Sequence, residues 1–183
     1  VAVGLLYQEG YFRQMLDASG VQLELYPHNV PTSLPITPVH DAEGAWLSVP
    51  LDLPGRKLLL RVWRAQVGRV PLYLLDSNDP MNSPADRGIA GKLYGGDEET
   101  RLIQEMVLGI GGWRALERLG VKPDVCHLNE GHAAMVTLER ARSYMQRSRV
   151  GLTEALWATR AGNVFTTHTP VAAGFDIYRV ALL

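Results

Sequence analysis

Two polar segments, each following a short apolar run, constrain the fold of this chain more than any other feature. Residues 127–132 read His-Leu-Asn-Glu-Gly-His, and residues 166–170 read Thr-Thr-His-Thr-Pro. A short apolar run that ends in polar residues predicts a buried strand with a loop at its carboxyl end. A helical pattern at residues 131–145 lies between the two strands, so we expect a right-handed parallel crossover. The sequence therefore predicts an α/β fold whose ligands bind at these strand ends.

The first half of the chain predicts a different kind of sheet. Residues 45–53, 56–65 and 69–76 look like strands separated by turn residues, so they predict an antiparallel β-meander. Residues 1–18 predict a short strand or loop followed by a helical turn that contains Tyr11 and Leu16. Residues 76–96 predict a polar loop, either a functional or mobile segment or a surface excursion.

The second half predicts helices that alternate with strands. Acidic residues at 97–100 complement a helix dipole, and apolar residues follow them at helical spacing. Gly120 is typical of the position just after a helix end. Residues 121–128 and 162–167 predict the two strands of the crossover, and residues 153–161 predict a short helix between them.

Composition excludes several classes of function. The 183-residue chain has a formal net charge of -1, so it lacks the basic surplus that binds nucleic acid. No apolar run reaches the roughly 20 residues that span a bilayer. The single cysteine, Cys126, can form no internal disulfide and predicts a buried thiol in a reducing compartment such as the cytoplasm. The chain begins inside an apolar run and ends without a polar tail, so we expect it to be part of a longer protein.

Polar side chains at the first strand end suit recognition of sugar hydroxyls. Asn129 offers a donor and acceptors, the carboxylate of Glu130 offers acceptors, and His132 follows in the same turn. The alternative is structural: Asn129 or Glu130 caps the next helix, and His132 packs against the sheet. His168, at the second strand end, is likewise either a ligand contact or a structural hydrogen-bonding residue.

Other kinds of site have weaker support. His127, Glu130 and His132 have the composition of a zinc site, but the histidines lack the i, i+4 spacing that places two ligands on one helix face, so we predict no metal. Residues 94–97 (Tyr-Gly-Gly-Asp) can expose backbone amides to an anion, yet no Walker lysine or G-x-G-x-x-G pattern accompanies them. The G-x-S-x-G motif of α/β-hydrolases is absent.

Five segments together resemble the α-glucan (glycogen and maltodextrin) phosphorylases, in particular the short bacterial and archaeal type. They keep the order of that family and span nearly the whole chain. They are residues 4–14 (Gly-Leu-Leu-Tyr-Gln-Glu-Gly-Tyr-Phe-Arg-Gln), 93–97 (Leu-Tyr-Gly-Gly-Asp), 101–105 (Arg-Leu-Ile-Gln-Glu), 127–132 and 167–176. Residues 127–132 also resemble starch synthases, so that segment marks the superfamily, whereas the Thr-His-Thr-Pro-Val sequence favours phosphorylases.

The resemblance implies a Rossmann-like domain of a two-domain GT-B glycosyltransferase, with the β-meander as an insertion. Residues 1–183 would be part of the N-terminal glucan-binding domain, and the C-terminal cofactor domain would lie outside this chain. The implied reaction is phosphorolysis of terminal α-1,4 bonds of a glucan by inorganic phosphate, which releases α-glucose 1-phosphate with pyridoxal phosphate as cofactor. No lysine here (Lys57, Lys92, Lys122) lies in a matching cofactor motif, so we expect the isolated chain to be inactive.

The resemblance also implies roles for individual residues. His168 matches the catalytic-site histidine that contacts glucose. Asn129, Glu130 and His132 match the Asn-Asp-x-His segment beside the glucan path, with glutamate in place of the aspartate of the animal enzymes. Asp97 aligns with the acid of an active-site loop that is shortened here, and Tyr94 of the same segment joins the implied substrate-binding residues.

Two alternatives stay open at this stage. A nucleotide-sugar glucosyltransferase of the same fold, similar to glycogen or starch synthase, would depend on ADP-glucose and lack pyridoxal phosphate. A non-catalytic carbohydrate-binding module would have no catalytic second domain in its gene. Phosphorylases often dimerise, so the resemblance also makes a homo-oligomer a possible assembly.

Overall fold

The chain is a mixed α/β protein that divides into two compact units. The computed structural model describes residues 1–93 and 95–182, with the side chain of Ala173 left aside. Unit 1 comprises residues 1–48 and 58–96, and unit 2 comprises residues 49–57 and 97–183. Across the described residues, no helix is both long and apolar enough to span a bilayer.

The strands and helices follow in chain order. The strands are β1 (Ala2–Leu5), β2 (Arg13–Leu16), β3 (Gln22–Leu25), β4 (Ile36–Pro38), β5 (Ser48–Leu53), β6 (Arg56–Val67), β7 (Val70–Asp76), β8 (Cys126–Asn129) and β9 (Asn163–Thr166). The α-helices are α1 (Pro84–Arg87), α2 (Glu98–Met106), α3 (Gly112–Arg118), α4 (Val136–Ser148) and α5 (Leu152–Arg160).

Unit 1 is built on a mixed sheet with the strand order β1-β7-β6-β4. β6 and β7 are antiparallel, with Val62 opposite Leu75, which confirms the antiparallel pairing predicted for these two strands of the meander. β1 instead runs parallel to β7, with Ala2 opposite Leu72, so the sheet is more than a simple meander. Alternate residues of β6 are fully buried, as expected for a strand with one face in a core: Leu58, Leu60 and Val62.

The predicted helical turn at residues 11–16 is wrong, because β2 pairs antiparallel with β3 there. The Asp17 carboxylate accepts hydrogen bonds from the amides of Ser19 and Val21, at 2.8 and 2.9 Å, and so closes the turn between the strands. Gly20 has a φ of 81°, a left-handed conformation that suits glycine. The turn chemistry decides this structure, and it overrides the weak helical spacing of the apolar residues.

The polar segment after β7 is not a loose surface excursion, because several of its polar side chains are buried and bonded. The amide nitrogen of Asn82 donates to the carbonyl of Leu59 and to that of Ser77, both at 2.8 Å. Its oxygen accepts from the Leu59 amide at 2.9 Å, so one side chain pairs with β6 as a strand would. Arg61 of β6 also forms an ion pair with Asp79 at 2.7 Å. These bonds fix the segment against the sheet.

Unit 2 combines a long helical run with the parallel pair β8 and β9. The side chain of Asp97 caps α2 by accepting from the Thr100 amide at 2.9 Å, which confirms the predicted start. A π-helical segment, Val107–Gly111, connects α2 to α3 without a break. The run ends at Gly120, whose φ of 70° confirms the predicted helix stop. Trp113, Leu128 and Val136 form a buried apolar cluster between these elements.

Two predicted boundaries in unit 2 are wrong. The strand expected at residues 121–128 begins only at Cys126, because the preceding segment contains Pro123, whose nitrogen cannot donate to a sheet. The helix expected at residues 131–145 begins as a 3-10 turn, Gly131–Ala133, and becomes α-helical only at Val136. The short helix expected at residues 153–161 is confirmed as α5.

We predict that Asn82→Ala lowers the free energy of unfolding by about 1–3 kcal/mol, because it leaves the Leu59 amide and carbonyl without this partner in a partly buried setting. Urea denaturation of the purified chain measures the change. Asn78→Ala is the control, since the Asn78 side chain accepts a hydrogen bond from the exposed Arg87 side chain. Equal stabilities for the two variants would contradict the structural role of Asn82.

Candidate functional site

The parallel pairing of β8 and β9 brings the two predicted segments to one edge of unit 2. Asn129 lies opposite Thr166 in the register, and the Glu130 amide donates to the Thr166 carbonyl at 2.9 Å. Both strands therefore end at the same level, and the residues that follow them are neighbours. The sequence-based prediction of a shared strand-end site is consistent with this geometry.

Glu130 is the buried centre of this edge, with a residual exposure of 4%. Its Oε1 accepts from the His168 amide at 3.0 Å, the Thr169 amide at 2.9 Å and the Thr169 hydroxyl at 2.8 Å. These donors, the His168 amide first, hold the pKa of Glu130 below its usual range. Glu130 makes no side-chain cap to the following helical turn, so the capping alternative is wrong for this residue.

His168 is the exposed member of the same group. Its Nε2 lies 3.1 Å from Asn129 Oδ1, and its Nδ1 lies 3.4 Å from Glu130 Oε1. The side chain keeps 59% of its surface exposed, so the imidazole is held at one edge and open to a ligand on the other. Either ring nitrogen can hold the proton, since both neighbours are acceptors.

His132 points into a second polar group, here called the α2 cluster: Arg101, Glu105, His132, Asp176 and Tyr178. Nδ1 of His132 lies 3.4 Å from Arg101, 3.7 Å from Asp176 and 3.8 Å from Glu105. Arg101 also donates to Asp176 at 3.1 Å. His132 therefore contacts three charged side chains of this cluster.

Glu105 is the residue of the α2 cluster whose chemistry is most altered. Its burial raises the pKa to about 7, and the neighbouring Asp176 adds to the rise, while Tyr178 and Arg101 oppose it. The Tyr178 hydroxyl is buried beside this carboxyl, and its pKa is raised as well, first by burial and then by Glu105. A carboxyl that titrates near neutral pH is characteristic of functional sites.

Little in the sequence indicates the α2 cluster. Glu105 belongs to the motif at residues 101–105, but its partner Asp176 lies about 70 residues further along the chain. The available signal was a charged residue beside Leu102 and Met106 on an apolar helix face. Burial of such a residue requires partners, and these come from a loop that periodicity does not place.

The geometry also bears on metal binding. Glu105, His132 and Asp176 offer ligand atoms within 4.8 Å of one another. Arg101, however, places a guanidinium on Asp176 and beside His132, and this positive charge opposes a cation there. His127 of the zinc-like set instead lies against the Thr166 hydroxyl, so that set does not converge.

Two of the predicted site residues, Tyr94 and Asp97, belong to the segment that precedes α2. The Asp97 carboxylate serves as the cap of α2, and its bond from the Thr100 amide lowers its pKa. The positive end of the helix dipole also stabilises a carboxylate at this position. Tyr94 lies outside the described residues.

We predict that Glu130→Ala increases amide hydrogen exchange at His168 and Thr169 by about tenfold or more, because both amides lose their acceptor. Exchange followed by NMR at single residues measures this. Glu130→Gln keeps an acceptor oxygen and should show a smaller increase. Glu154→Ala, on the exposed face of α5, is the control and should leave both amides unchanged.

The raised pKa of Glu105 leads to a second prediction, which concerns how the free energy of unfolding depends on pH. Because the folded pKa of about 7 exceeds the ordinary 4.5, the folded chain holds this proton more tightly than the unfolded chain. The contribution of Glu105 to stability is therefore fully present below about pH 4.5 and is lost as the pH rises through about 7. Glu105→Gln mimics the protonated form, so its advantage over the wild type should grow between pH 5 and 8, to at most about 3 kcal/mol.

Thermal and urea unfolding at several pH values measure this difference. Glu99→Gln, at an exposed position of the same helix, is the control and should retain the pH dependence of the wild-type chain. A constant difference between wild type and Glu105→Gln across this range would contradict the raised pKa.

Comparison with known proteins extends these observations. No family model matches this chain. The maltodextrin phosphorylase of Thermococcus litoralis is 44% identical over 181 residues, which are 99% of this chain and 22% of that protein. The glycogen phosphorylase of Mycobacterium tuberculosis is 45% identical over 190 residues, covering 100% of this chain and 22% of that protein. The glycogen phosphorylase of Aquifex aeolicus is 35% identical over 180 residues, 97% of this chain and 26% of that protein.

The chain thus spans only 22–26% of the length of these relatives, but the similarity runs along nearly all of the chain itself. That similarity includes the segments in which the family resemblance was identified, from residue 4 to residue 176. The match and the motifs agree: along nearly all of its length, the chain is similar to part of proteins named maltodextrin phosphorylase and glycogen phosphorylase.

Proposed function

We propose that this chain forms part of the glucan-binding domain of an α-glucan phosphorylase. The observation that carries the proposal is the identity of 35–45% along the whole chain to proteins named maltodextrin and glycogen phosphorylase. The reaction is phosphorolysis of a terminal α-1,4 bond by inorganic phosphate, with release of α-glucose 1-phosphate. The glucan and inorganic phosphate are then its partners, and the cytoplasm, where both occur, is its compartment.

The proposed architecture is the two-domain GT-B fold. Residues 1–183 form part of its N-terminal domain, and β8, α4, α5 and β9 supply a parallel strand pair with intervening helices of the Rossmann-like kind. Homo-oligomerisation belongs to the same proposal, because it is implied by the family resemblance.

Pyridoxal phosphate is the cofactor that the family implies, and the lysines of this chain do not fit it. A lysine that forms a Schiff base is desolvated or placed near another cation, which lowers its pKa. Lys57 is largely exposed and pairs with Asp52 at 3.9 Å, Lys122 is exposed, and Lys92 lies over the ring of Tyr26. No lysine of this chain is therefore assigned to the cofactor.

The residues at the strand ends have a defined task in this proposal. His168 presents an open imidazole edge whose position is set by Asn129 and by the Glu130 carboxylate. When Nε2 donates to Asn129 Oδ1, Nδ1 is left as an acceptor for a sugar hydroxyl, and this interaction orients the terminal glucose. Glu130 acts through His168 and Thr169, so it is a positioning residue.

Other residues of the candidate set have separate roles. His132 is proposed to face the glucan through the part of its ring that is not in contact with the α2 cluster. Asp97 and Tyr94 are proposed as substrate-binding residues on the family resemblance alone. Of the alternatives, no observation favours a nucleotide-sugar glucosyltransferase or a non-catalytic module, because the relatives compared here are named phosphorylases.

The test is an assay of the full product of the gene on maltoheptaose with inorganic phosphate, following glucose 1-phosphate. We expect activity in the full product and none in the 183-residue chain. His168→Ala should lower kcat/KM by about 10- to 100-fold, the range for loss of one or two hydrogen bonds to the substrate. His40→Asn, at an exposed histidine of unit 1, is the matched control and should retain activity.

Phosphorolysis by the purified 183-residue chain would contradict the proposed division of function. Activity with ADP-glucose and none with inorganic phosphate would contradict the proposed phosphorylase and support the nucleotide-sugar glucosyltransferase.

A further inference from the structure

Residues 175–180, here called the strap, form an irregular segment of unit 2 that is attached to α2 mainly by polar groups. Asp176 and Tyr178 face α2, whereas Ile177 and Val180 are each 87% exposed and Phe175 is exposed as well. A segment that buries so little apolar surface gains little hydrophobic stabilisation. Such segments open locally at low cost, so the polar contacts of the strap decide whether it stays docked.

Two ionic contacts attach the strap to one face of α2. The Arg179 amide donates to Glu98 Oε1 at 2.8 Å, and the Arg179 Nε donates to Glu98 Oε2 at 3.0 Å. Arg101, three residues after Glu98, forms the ion pair with Asp176 at 3.1 Å. The Arg179 side chain is largely exposed, and exposed ion pairs contribute little stability. A change of charge beside these contacts is therefore enough to shift the position of the strap.

Glu105, one helical turn after Arg101, is the group whose charge can change there. Charged and titratable groups face it from three elements: Arg101 from its own helix, His132 from the turn after β8, and Asp176 and Tyr178 from the strap. Oxygen atoms of Glu105 and Asp176 lie within 4.8 Å of each other. A protonated carboxyl can donate a hydrogen bond to a neighbouring carboxylate, whereas two carboxylates repel each other. Protonation of Glu105 thus decides whether its interaction with Asp176 is attractive or repulsive.

The burial of Glu105 acts in the same direction as this repulsion. Burial is the first cause of its pKa of about 7, and Asp176 adds to the rise. An ionised carboxyl in a buried site gains free energy when water reaches it. Movement of Asp176 and Tyr178 away from α2 admits water to this carboxyl, so ionisation and release of the strap favour each other.

We propose that the strap is a pH-sensitive latch beside His132, docked on α2 while Glu105 holds a proton and released when Glu105 gives that proton to solvent. His132 Nδ1 lies 3.7 Å from the Asp176 carboxylate in the docked arrangement. Release removes that carboxylate and leaves the imidazole open to a ligand on this side. The inference goes beyond the proposed function, because it concerns access to His132 whatever its ligand.

The pKa of Glu105 determines the direction and size of the effect. It is about 7 with the strap docked, and we expect the ordinary value of 4.5 with the strap released. Because the docked state has the higher pKa, docking is strongest below about pH 4.5 and weakens as the pH rises through 7. These two values raise the equilibrium constant for release about tenfold between pH 6 and pH 8.

The test follows amide hydrogen exchange of the strap by mass spectrometry in the full gene product, without glucan or phosphate. The Arg179 amide is the most direct reporter, since it donates to Glu98 in the docked strap. Glu105→Gln keeps a neutral donor at this position, so its strap should stay docked across the pH range. The ratio of the wild-type exchange rate to that of Glu105→Gln, taken at the same pH, should rise about tenfold between pH 6 and pH 8.

Two further variants separate the latch from a general effect of charge on α2. Glu99→Gln, at an exposed position of the same helix, is the matched control and should show the pH dependence of the wild type. Asp176→Asn removes the carboxylate that repels ionised Glu105, so the rise in strap exchange between pH 6 and pH 8 should be smaller than in the wild type.

A ratio that stays constant between pH 6 and pH 8 would overturn the latch. An equal rise of exchange throughout α2 and α4 would also overturn it, because unit 2 would then be unfolding as a whole. Phosphorolysis by a protein without pH-dependent release would leave the proposed function intact and overturn the latch. Release in a protein without phosphorolysis would support the latch and overturn the proposed reaction.

Discussion

The carboxylate of Glu130 accepts three hydrogen bonds from the segment that follows β9, and the candidate site depends on this arrangement. The hydrogen bonds between two parallel strands do not extend to the loops that follow them. The pairing of β8 with β9 alone would therefore leave His168 on an unconstrained loop. One buried oxygen instead receives the amides of His168 and Thr169 and the Thr169 hydroxyl. Charge-assisted bonds of this type are stronger than neutral ones and restrict orientation. The position of His168 follows from a residue that need not itself touch a ligand.

Three buried glutamates of unit 2 show how partners decide the state of the same side chain. Glu130 faces N–H and O–H donors, and its pKa falls. Burial raises the pKa of Glu139, but hydrogen bonds from Arg142 and Arg114 outweigh it and the pKa falls. At Glu105, burial and a nearby carboxylate raise the pKa more than the other contacts lower it, and the pKa rises to about 7. Burial acts in the same direction in all three cases, so the donors near each carboxylate determine the net result.

The sequence predicted the strand-end site and failed where structure depends on distant partners. The ends of β8 and β9 could be located because an apolar run followed by polar residues is a local signal. The hairpin of β2 and β3 was missed because Asp17 and Gly20 determine it through a turn, which apolar spacing does not reveal. The partners of Glu130 and Glu105 lie about 40 and 70 residues away in the chain, and no local pattern encodes them.

The long helical run of unit 2 connects these observations physically. Arg101, Glu105 and Gly109 follow one another at intervals of four residues, so they share one face of the run. The first two contact His132, and a Cβ at Gly109 would lie 2.6 Å from the backbone nitrogen of Val136. The same face therefore lies along the turn that carries His132, and the missing side chain at residue 109 allows the close approach. The close approach of Arg101 and Glu105 to His132 thus depends on a glycine that has no chemical role in the site.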